Sequence, residues 1–282
     1  MRIPITFTKA SGAGNDFVIL NNIRGDIAVD YPAFARVACD RHFGIGGDGL
    51  LVVEKSTIAD FAMRYFNADG SWGGMCGNGG RCIARYAHVG GIAGARQRFE
   101  ALGHIYEAEV GSATVRLHMK DPVAYRDVIP LDVSGSSLLV SFVDTGAPHA
   151  VVVGEAVLES IDVTALGRAL REHPHFRPDG TNVNFIRKRG DSSVQLRTYE
   201  RGVEAETLAC GTGSVASALV ASDRCGMKSP VRVLVKSGEE LIVHFRGTKG
   251  DWSDVSLEGS AHLLFSGNLV FQTDPPSLQL PS

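Results

Sequence analysis

The chain contains 282 residues, which is enough for two domains that each bury a core without a disulfide or a metal. Hydrophobic residues make up 44% and charged residues 21%, which excludes a disordered or fibrous protein for most of the length. The formal net charge is −3 and no apolar stretch reaches the roughly 18 to 20 residues that cross a bilayer. We therefore expect a cytoplasmic protein with neither a nucleic-acid nor a membrane partner.

Short apolar runs rich in β-branched residues predict many strands, with a few isolated helices between them. In chain order, strands are expected at residues 3–8, 17–20, 50–53, 61–66, 113–119, 138–143, 150–153, 194–199, 231–235 and 241–245. Helices are expected at residues 32–41, 76–88, 163–173 and 211–223, the first with Asp30 as its N-cap. This mixture favours an α+β fold in which helices pack on curved antiparallel sheets.

Four features occur twice, in the same order and at nearly constant displacement. The matched pairs are Gly14 with Gly146, Asp48 with Asp179, Asn67 with Tyr199 and Cys76 with Cys210. Such an order predicts two copies of one unit that face each other across a cleft. We expect an N-terminal half over residues 1–125, a C-terminal half over residues 126–268 and a frayed tail over residues 269–282.

Each copy places a cysteine and closely following glycines at the start of a helix. The two segments read Met75-Cys76-Gly77-Asn78-Gly79 and Ala209-Cys210-Gly211-Thr212-Gly213. The positive end of a helix dipole favours a thiolate, and N–H groups beside glycines suit a bound carboxylate. If one sulfur takes a proton from carbon and the other returns one to the opposite face, the stereocentre inverts. This pattern indicates a racemase or an epimerase.

The remaining cysteines lack this context. Cys39, Cys82 and Cys225 are interpreted as buried packing residues. A redox or metal site would have to use Cys76 and Cys82, whose five intervening residues differ from the C-x₂-C spacing of structural zinc sites.

Polar residues next to predicted strand ends complete the candidate site. Neutral amides there can bind both the ammonium and the carboxylate of an amino acid, and they also suit tight turns. The amides are Asn15, Asn67, Asn78 and Asn182. Glu200 and Arg201 form either a zwitterion-binding pair or a solvated pair, and His149 either tunes a thiol or satisfies local backbone groups.

Seven motifs, in order, resemble those of the diaminopimelate epimerase family across about residues 5–268. They are ASGAGNDF (10–17), GIGGDG (44–49), FNADGS (66–71), CGNGGRC (76–82), GTNVNF (180–185), YERG (199–202) and ACGTG (209–213). The resemblance implies two pseudo-symmetric domains, each a mostly antiparallel sheet wrapped round a central helix. It also implies a homodimer that interconverts LL- and meso-2,6-diaminopimelate in lysine and peptidoglycan synthesis, with no metal or other cofactor.

The resemblance assigns roles to particular residues. Cys76 matches the proton donor and Cys210 the acceptor in the LL-to-meso direction. The residues expected to bind substrate are Asn15, Asn67, Gly77, Asn78, Asn182, Glu200, Arg201, Gly211 and Thr212. His149 and Glu200 are expected to modulate the thiols.

Two departures from the family pattern bear on substrate recognition. Ala147 stands where many members have asparagine, so one amide contact with the distal end of the substrate is absent. Nine residues separate Glu200 from Cys210, one more than is common, so the family pattern does not predict the backbone conformation around residues 204–206. A racemase of proline or hydroxyproline is the alternative enzyme, and a substrate panel distinguishes the two.

Overall fold

A computed structural model describes residues 1–133, 135–154 and 158–280. The strands in the described residues are β1 (Arg2–Gly12), β2 (Asn15–Asn22), β3 (Gly49–Glu54), β4 (Phe61–Asn67), β5 (Arg96–Ala101), β6 (His104–Val110), β7 (Thr114–His118), β8 (Ala124–Val133), β9 (Ser136–Asp144), β10 (Pro148–Val153), β11 (Asn182–Gly190), β12 (Ser193–Glu200), β13 (Ala205–Thr207), β14 (Val231–Leu234), β15 (Glu240–Thr248), β16 (Asp251–Ser260), β17 (His262–Thr273) and β18 (Pro276–Gln279). The α-helices there are α1 (Tyr31–Ala38), α2 (Gly77–Val89), α3 (Val163–Arg171) and α4 (Gly211–Cys225). None of these helices is long and apolar enough to cross a bilayer.

The chain divides into two units, at positions that differ from those expected. The N-terminal unit combines Met1–Leu117 with the chain from Gly259 onward, and the C-terminal unit is His118–Glu258. These divisions, at residues 117/118 and 258/259, differ from the expected ones at 125/126 and 268/269. The second division follows from β17, which pairs with β1 along most of its length and so draws the end of the chain into the first unit.

Strand pairing repeats between the two units. In the N-terminal unit, β1–β2 is antiparallel, β2–β3 parallel, β3–β4 antiparallel, β4–β5 parallel, and β5–β6 and β6–β7 antiparallel. In the C-terminal unit, β9–β10, β10–β11, β11–β12, β12–β14, β14–β15 and β15–β16 follow the same sequence of directions. The duplication inferred from four short motifs thus extends to the connectivity of each sheet.

One helix in each unit is surrounded by strands. Helix α2 contacts β1, β2, β3, β4, β6 and β17, and α4 contacts β9, β10, β11, β12, β14 and β15. In α4, Ser214 and every residue from it to Ala221 are buried, and most of them are small, so strands can approach on all sides. The predicted α+β fold, a mostly antiparallel sheet round a central helix, is confirmed.

Helix α1 of the N-terminal unit and helix α3 of the C-terminal unit each pack against strands of their own unit. Asp30 and Asp162 cap their N-termini by accepting hydrogen bonds from the backbone three residues on, so the predicted Asp30 cap is confirmed. Phe34 of α1 lies edge-on to Phe271 of β17, and Leu278 of β18 packs against the same cluster. Because residues 276–279 pair with β17, the predicted fraying of the tail is wrong up to residue 279; residues 281–282 lie outside the described residues.

Candidate active site

In each unit, the predicted site residues lie at one edge of the sheet. Asn15 begins β2 and Asn67 ends β4; since β3 runs parallel to β2 and antiparallel to β4, these ends lie side by side. In the other unit, His149 and Asn182 are register partners near the starts of β10 and β11, and Glu200 ends β12. The repeated strand order therefore produces two similar edges from separate stretches of sequence.

Each edge carries a cysteine at the N-cap of the central helix. Cys76 caps α2 with φ −110° and ψ 119°, and Cys210 caps α4 with φ −113° and ψ 117°. The N–H of Gly79 donates to Cys76 Sγ at 3.5 Å, and the N–H of Gly213 donates to Cys210 Sγ at 3.3 Å. A donated N–H and the helix dipole both stabilise negative charge on sulfur. Cys76 belongs to the N-terminal unit and Cys210 to the C-terminal unit.

Close packing fixes the Cys210 elbow, the Cys-Gly-x-Gly segment over residues 210–213 that begins α4; the Cys76 elbow is the corresponding segment over residues 76–79. Cys210 is 7% exposed, and the Thr212 hydroxyl lies 3.5 Å from its sulfur. A Cβ on Gly213 would lie 2.5 Å from Asn184 Oδ1 and 3.2 Å from the Cys210 sulfur. Only glycine fits at this position, because any side chain would overlap the buried amide.

In the N-terminal unit, a series of amides leads from the helix to the edge of the sheet. Arg81, which is fully buried, donates from Nη2 to Asn78 Oδ1 at 3.0 Å. Asn78 Nδ2 in turn donates to Asn15 Oδ1, and Asn15 Nδ2 donates to Asp48 Oδ2 at 2.9 Å. Asn15 and Asn78, two of the residues predicted to bind substrate, are thus hydrogen-bonded to each other.

An ion-pair network supports this series at its carboxylate end. Arg41 Nη2 lies 2.7 Å from a carboxylate oxygen of Asp48 and 2.7 Å from one of Asp16, and Lys9 Nζ lies 2.7 Å from Asp16. Burial raises the pKa of Asp16, but hydrogen bonds from Arg41 and Lys9 outweigh it and lower the pKa to about 2. The network holds the start of β2 against the loop before β3.

Glu200 is the carboxylate that contacts a candidate catalytic sulfur. The Cys210 thiol donates a hydrogen bond to the Glu200 carboxylate, and the Thr207 hydroxyl donates another to Oε1. Burial raises the pKa of Glu200, and these two hydrogen bonds act in the opposite direction. A carboxylate in this position can accept the thiol proton and leave a thiolate.

His149 is fully buried and uncharged. Burial, with a smaller effect from the charge of Arg201, lowers the pKa of His149 to about 3. Asn184 Nδ2 lies 3.1 Å from His149 Nδ1 and 3.1 Å from the carbonyl oxygen of Ala150, so Nδ1 accepts and the ring proton sits on Nε2. Nε2 has no hydrogen-bond partner among the described residues. Any effect of His149 on a thiol must therefore come from a neutral imidazole.

Asn182, at the start of β11, connects the start of β10 to the residue that follows β12. Asn182 Nδ2 donates to the Pro148 carbonyl at 3.0 Å, and its Oδ1 accepts from the Arg201 backbone N–H at 2.9 Å. The Arg201 guanidinium donates to the Asp179 carbonyl at 3.2 Å. Both ends of the Asn182 amide are thus used by backbone groups, which is the turn-stabilising role that the sequence left open.

A cavity of about 530 Å³ adjoins Arg201 within the C-terminal unit. Arg126 and Arg177 also line it, and the stacked rings of Phe142 and Phe176 contribute apolar surface. The carboxylates of Asp144 and Asp179 line it as well, so three arginines stand against two aspartates around this space. Such a mixed lining suits a ligand end that carries a carboxylate beside an ammonium group.

Sequence reasoning missed several residues that these contacts depend on. Thr207, Asn184 and Asp48 each form a hydrogen bond with a predicted site residue; the sequence marked Asp48 only as one member of a repeated pair, and the neutral side chains of Thr207 and Asn184 did not single them out. For Asn184, the usable signal was its position two residues after Asn182, on the same face of a strand. Asn67 lies at the expected edge, but its side chain donates only to a neighbouring serine hydroxyl at 2.9 Å in the contacts described.

Cys82, which the redox or metal alternative pairs with Cys76, lies in the core of the N-terminal unit. Cys82 is fully buried, and its sulfur lies 3.1 Å from where a Cβ on Gly12 would stand. Among the described residues, no group of three or more His, Cys, Asp or Glu side chains is placed to hold a metal ion.

Comparisons with known proteins agree with the motifs. The family model described as diaminopimelate epimerase matches residues 7–125 and 141–260. The chain is 46% identical over 265 residues to a diaminopimelate epimerase of Chlorobaculum tepidum, covering 92% of this chain and 99% of that protein. It is 41% identical over 276 residues to one of Aquifex aeolicus, covering 93% and 97%.

Solved structures of more distant proteins share the fold. A phenazine biosynthesis protein of the PhzF family from Bacillus anthracis matches with a TM-score of 0.72 at 15% identity, covering 94% of this chain and 98% of that one. A probable proline racemase from Agrobacterium radiobacter matches with a TM-score of 0.66 at 14% identity, covering 93% and 92%. At these identities the likeness concerns architecture, whereas the sequence relatives and the family model identify the family. This chain belongs to the diaminopimelate epimerase family.

Proposed function

We propose that this protein interconverts LL- and meso-2,6-diaminopimelate by moving a proton between the α-carbon and two cysteine sulfurs. The observation that carries the proposal is the repeated elbow: Cys76 and Cys210 occupy the same N-cap position, with nearly the same backbone angles, in two units of the same connectivity. Inversion of a stereocentre needs an acid and a base of similar strength on opposite faces, and a duplicated unit supplies them.

In the LL-to-meso direction, Cys210 is the base. Glu200 accepts the proton of the Cys210 thiol, and the resulting thiolate removes the α-proton of the substrate. The electrons of the broken C–H bond pass into the neighbouring carboxylate, which becomes enediolate-like. The Cys76 thiol then protonates the opposite face, leaving Cys76 as a thiolate. In the reverse direction the two sulfurs exchange roles.

Backbone N–H groups stabilise the charge that develops on the carboxylate. The first-turn N–H groups of an α-helix have no acceptor within the helix, and they carry the positive end of its dipole. Gly77 and Asn78 open α2, and Gly211 and Thr212 open α4. These four residues are therefore assigned to the carboxylate next to the reacting carbon, where donors that point at the developing charge contribute most.

The polar residues at the two sheet edges are assigned to the rest of the substrate. Asn15 and Asn67 supply amides, Asn182 supplies the second N–H of an amide whose other groups hold the turn, and Arg201 supplies a guanidinium that suits the distal carboxylate. The cavity beside Arg201 supports this assignment, because its three arginines and two aspartates can pair with the carboxylate and the ammonium group of the distal end. Ala147 offers no amide, so recognition of the distal end depends more strongly on Arg201 than in members with asparagine there.

Turnover of LL-diaminopimelate in deuterated water tests the proposal. We expect meso product with deuterium at one α-carbon, and no turnover by Cys76→Ser or Cys210→Ser. Cys225→Ser is the matched control, because Cys225 is a half-buried thiol at the far end of α4. Near-wild-type turnover by either elbow variant refutes the two-sulfur scheme, and turnover of proline in place of diaminopimelate would favour the racemase alternative.

We also propose that the protein is a homodimer in the cytoplasm. The N-terminal unit exposes apolar side chains around one groove: Val89 is 65% exposed, Phe265 is 54% exposed, and Tyr86 also lines the groove. Apolar side chains gathered in this way favour association with a second copy. The five cysteines, all among the described residues, are thiols and not disulfides, and a reducing compartment keeps the two catalytic sulfurs available. Light scattering is expected to give twice the chain mass, and Phe265→Ser to give the monomer; a monomeric wild-type protein contradicts the dimer.

A further inference from the structure

We propose that Arg81 and Asp48 are positioning residues that fix the amide orientations of Asn78 and Asn15. The inference rests on the proposed function, because it assumes that these two asparagines face the substrate. Neither Arg81 nor Asp48 is assigned to substrate contact or to proton transfer. Their role follows from the hydrogen bonds that run from one to the other through both amides.

The four residues form one continuous series. Arg81 Nη2 donates to Asn78 Oδ1 at 3.0 Å, Asn78 Nδ2 donates to Asn15 Oδ1, and Asn15 Nδ2 donates to Asp48 Oδ2 at 2.9 Å. Arg81 is 0% exposed and Asn78 is 2% exposed, so water does not compete freely for these groups. The series begins on α2 and ends at the first residue before β3, and thus joins the helix to the sheet edge.

The chemistry of the two ends gives the series a direction. A guanidinium can only donate hydrogen bonds and a carboxylate can only accept them. Asn78 must therefore turn its carbonyl oxygen toward Arg81 and its NH₂ toward Asn15, and Asn15 must turn its NH₂ toward Asp48. If either end were lost, an amide could rotate and exchange its donor and acceptor. The two ends thus determine the direction in which each amide presents its N–H groups.

Comparison of the two units shows that this position of the central helix does not by itself require an arginine. The displacement of 134 residues that relates Cys76 to Cys210 relates Arg81 to Val215 and Asn78 to Thr212. Val215 is fully buried at its position in α4, so an apolar residue satisfies the packing there. Burying a guanidinium costs free energy, which hydrogen bonds offset: Arg81 donates to the carbonyl oxygens of Gly77 at 3.5 Å and Ser260 at 3.4 Å, and the shortest of the three bonds, at 3.0 Å, is the one to Asn78.

Steady-state kinetics with LL-diaminopimelate test the inference. Asp48→Asn replaces a fixed acceptor by an amide of the same shape, and Arg81→Met removes the fixed donor. For each we expect KM to rise about 2- to 10-fold, the equivalent of one hydrogen bond, with kcat within about 2-fold of wild type. Arg81→Lys restores a donor and is expected to recover part of the loss. Asp26→Asn, at an exposed position in the same unit, is the control and is expected to leave KM unchanged.

The outcomes separate this inference from the proposed function. An unchanged KM in Asp48→Asn overturns it, as does a parallel fall of kcat and of the melting temperature, which would indicate a purely structural role. Asp48→Asn decides the question even if Arg81→Met does not fold, because the Asp48 side chain is 36% exposed and tolerates an isosteric change. If Cys76→Ser and Cys210→Ser are inactive while Asp48→Asn binds substrate normally, only the positioning role fails.

Discussion

Substitution of Gly213 by alanine is expected to displace the Cys210 sulfur. The added Cβ would lie 2.5 Å from Asn184 Oδ1, and real Cβ atoms do not approach below 3.0 Å, so one of the two must move by at least 0.5 Å. Asn184 is fully buried and held at 3.1 Å by His149, by the Ala150 carbonyl and by the Thr198 hydroxyl. The start of α4 therefore moves instead.

The size of the effect follows from this shift. Misplacing a reacting group by 1 Å costs about 100-fold in rate, so a shift of half that size is expected to lower kcat about 10-fold. Overpacking costs about 1–3 kcal/mol, partly offset by the better helix propensity of alanine, which is worth about 1 kcal/mol. Steady-state kinetics and urea unfolding of Gly213→Ala measure the two quantities.

The repeat provides a matched control. Gly79 stands at the same position in α2, but its added Cβ would meet the Leu51 methyl at 3.2 Å, the Cys76 Cβ at 3.5 Å and the Phe17 ring at 3.6 Å. A shift of the Leu51 methyl by a few tenths of an ångström relieves the tightest of these contacts, so Gly79→Ala is expected to retain at least half of wild-type kcat. If Gly213→Ala keeps wild-type kcat, or if the two alanine variants lose activity equally, the argument from the Asn184 contact is wrong.

Three further predictions concern ionisable groups. Glu200→Gln is expected to lower kcat at least 100-fold in both directions, because it removes the acceptor of the Cys210 thiol proton. Acid is expected to destabilise the protein through Asp16: a pKa of about 2, below the ordinary 3.8, stabilises the fold by about 2 kcal/mol above pH 4, and that stability is lost as the pH falls through 3.8 toward 2. Cys39 is expected to resist iodoacetamide in the native state, since it is 2% exposed and burial raises its pKa to about 12.

Each of these has a direct check. Product stereochemistry followed by circular dichroism measures the Glu200→Gln rates, and a loss smaller than 10-fold contradicts the assigned base. Urea unfolding between pH 2 and pH 5 measures the acid effect, and Asp16→Asn should flatten the dependence; an equally steep variant contradicts it. Peptide mass spectrometry after labelling reports Cys39, and rapid labelling of the folded protein contradicts its burial.

Local patterns predicted the helices and the two elbows because their causes lie within a few residues. Asp30 before Pro32 and the Cys-Gly-x-Gly segments each specify a helix start without reference to the rest of the chain. Strand β5, by contrast, alternates arginine with other residues and shows no apolar run, yet Phe99 stacks at its centre on Phe61. Its position depends on long-range pairing, which short-range periodicity does not contain.

The polar contacts of the site likewise include some that local sequence predicts and others that depend on long-range packing. That Cys76 and Asn78 share a helix start is visible in sequence, but the bond from Asn78 to Asn15 spans 63 residues. It follows only once β2, β3 and α2 have assembled. The tail was misjudged for a similar reason: its prolines argue for fraying, and Leu278 gains order only from a cluster formed by residues near the other end of the chain.

The pairing of β1 with β17 also affects how the chain folds as it leaves the ribosome. The N-terminal unit is the first to be synthesised, but Ile5 and Phe7 find their partners on β17 only after more than 250 residues have been made. Until then the nascent sheet has an open edge that can pair with other chains, a recognised route to aggregation. The C-terminal unit, continuous in sequence, can complete its own sheet first, so the half that is translated later is expected to be the half that folds earlier.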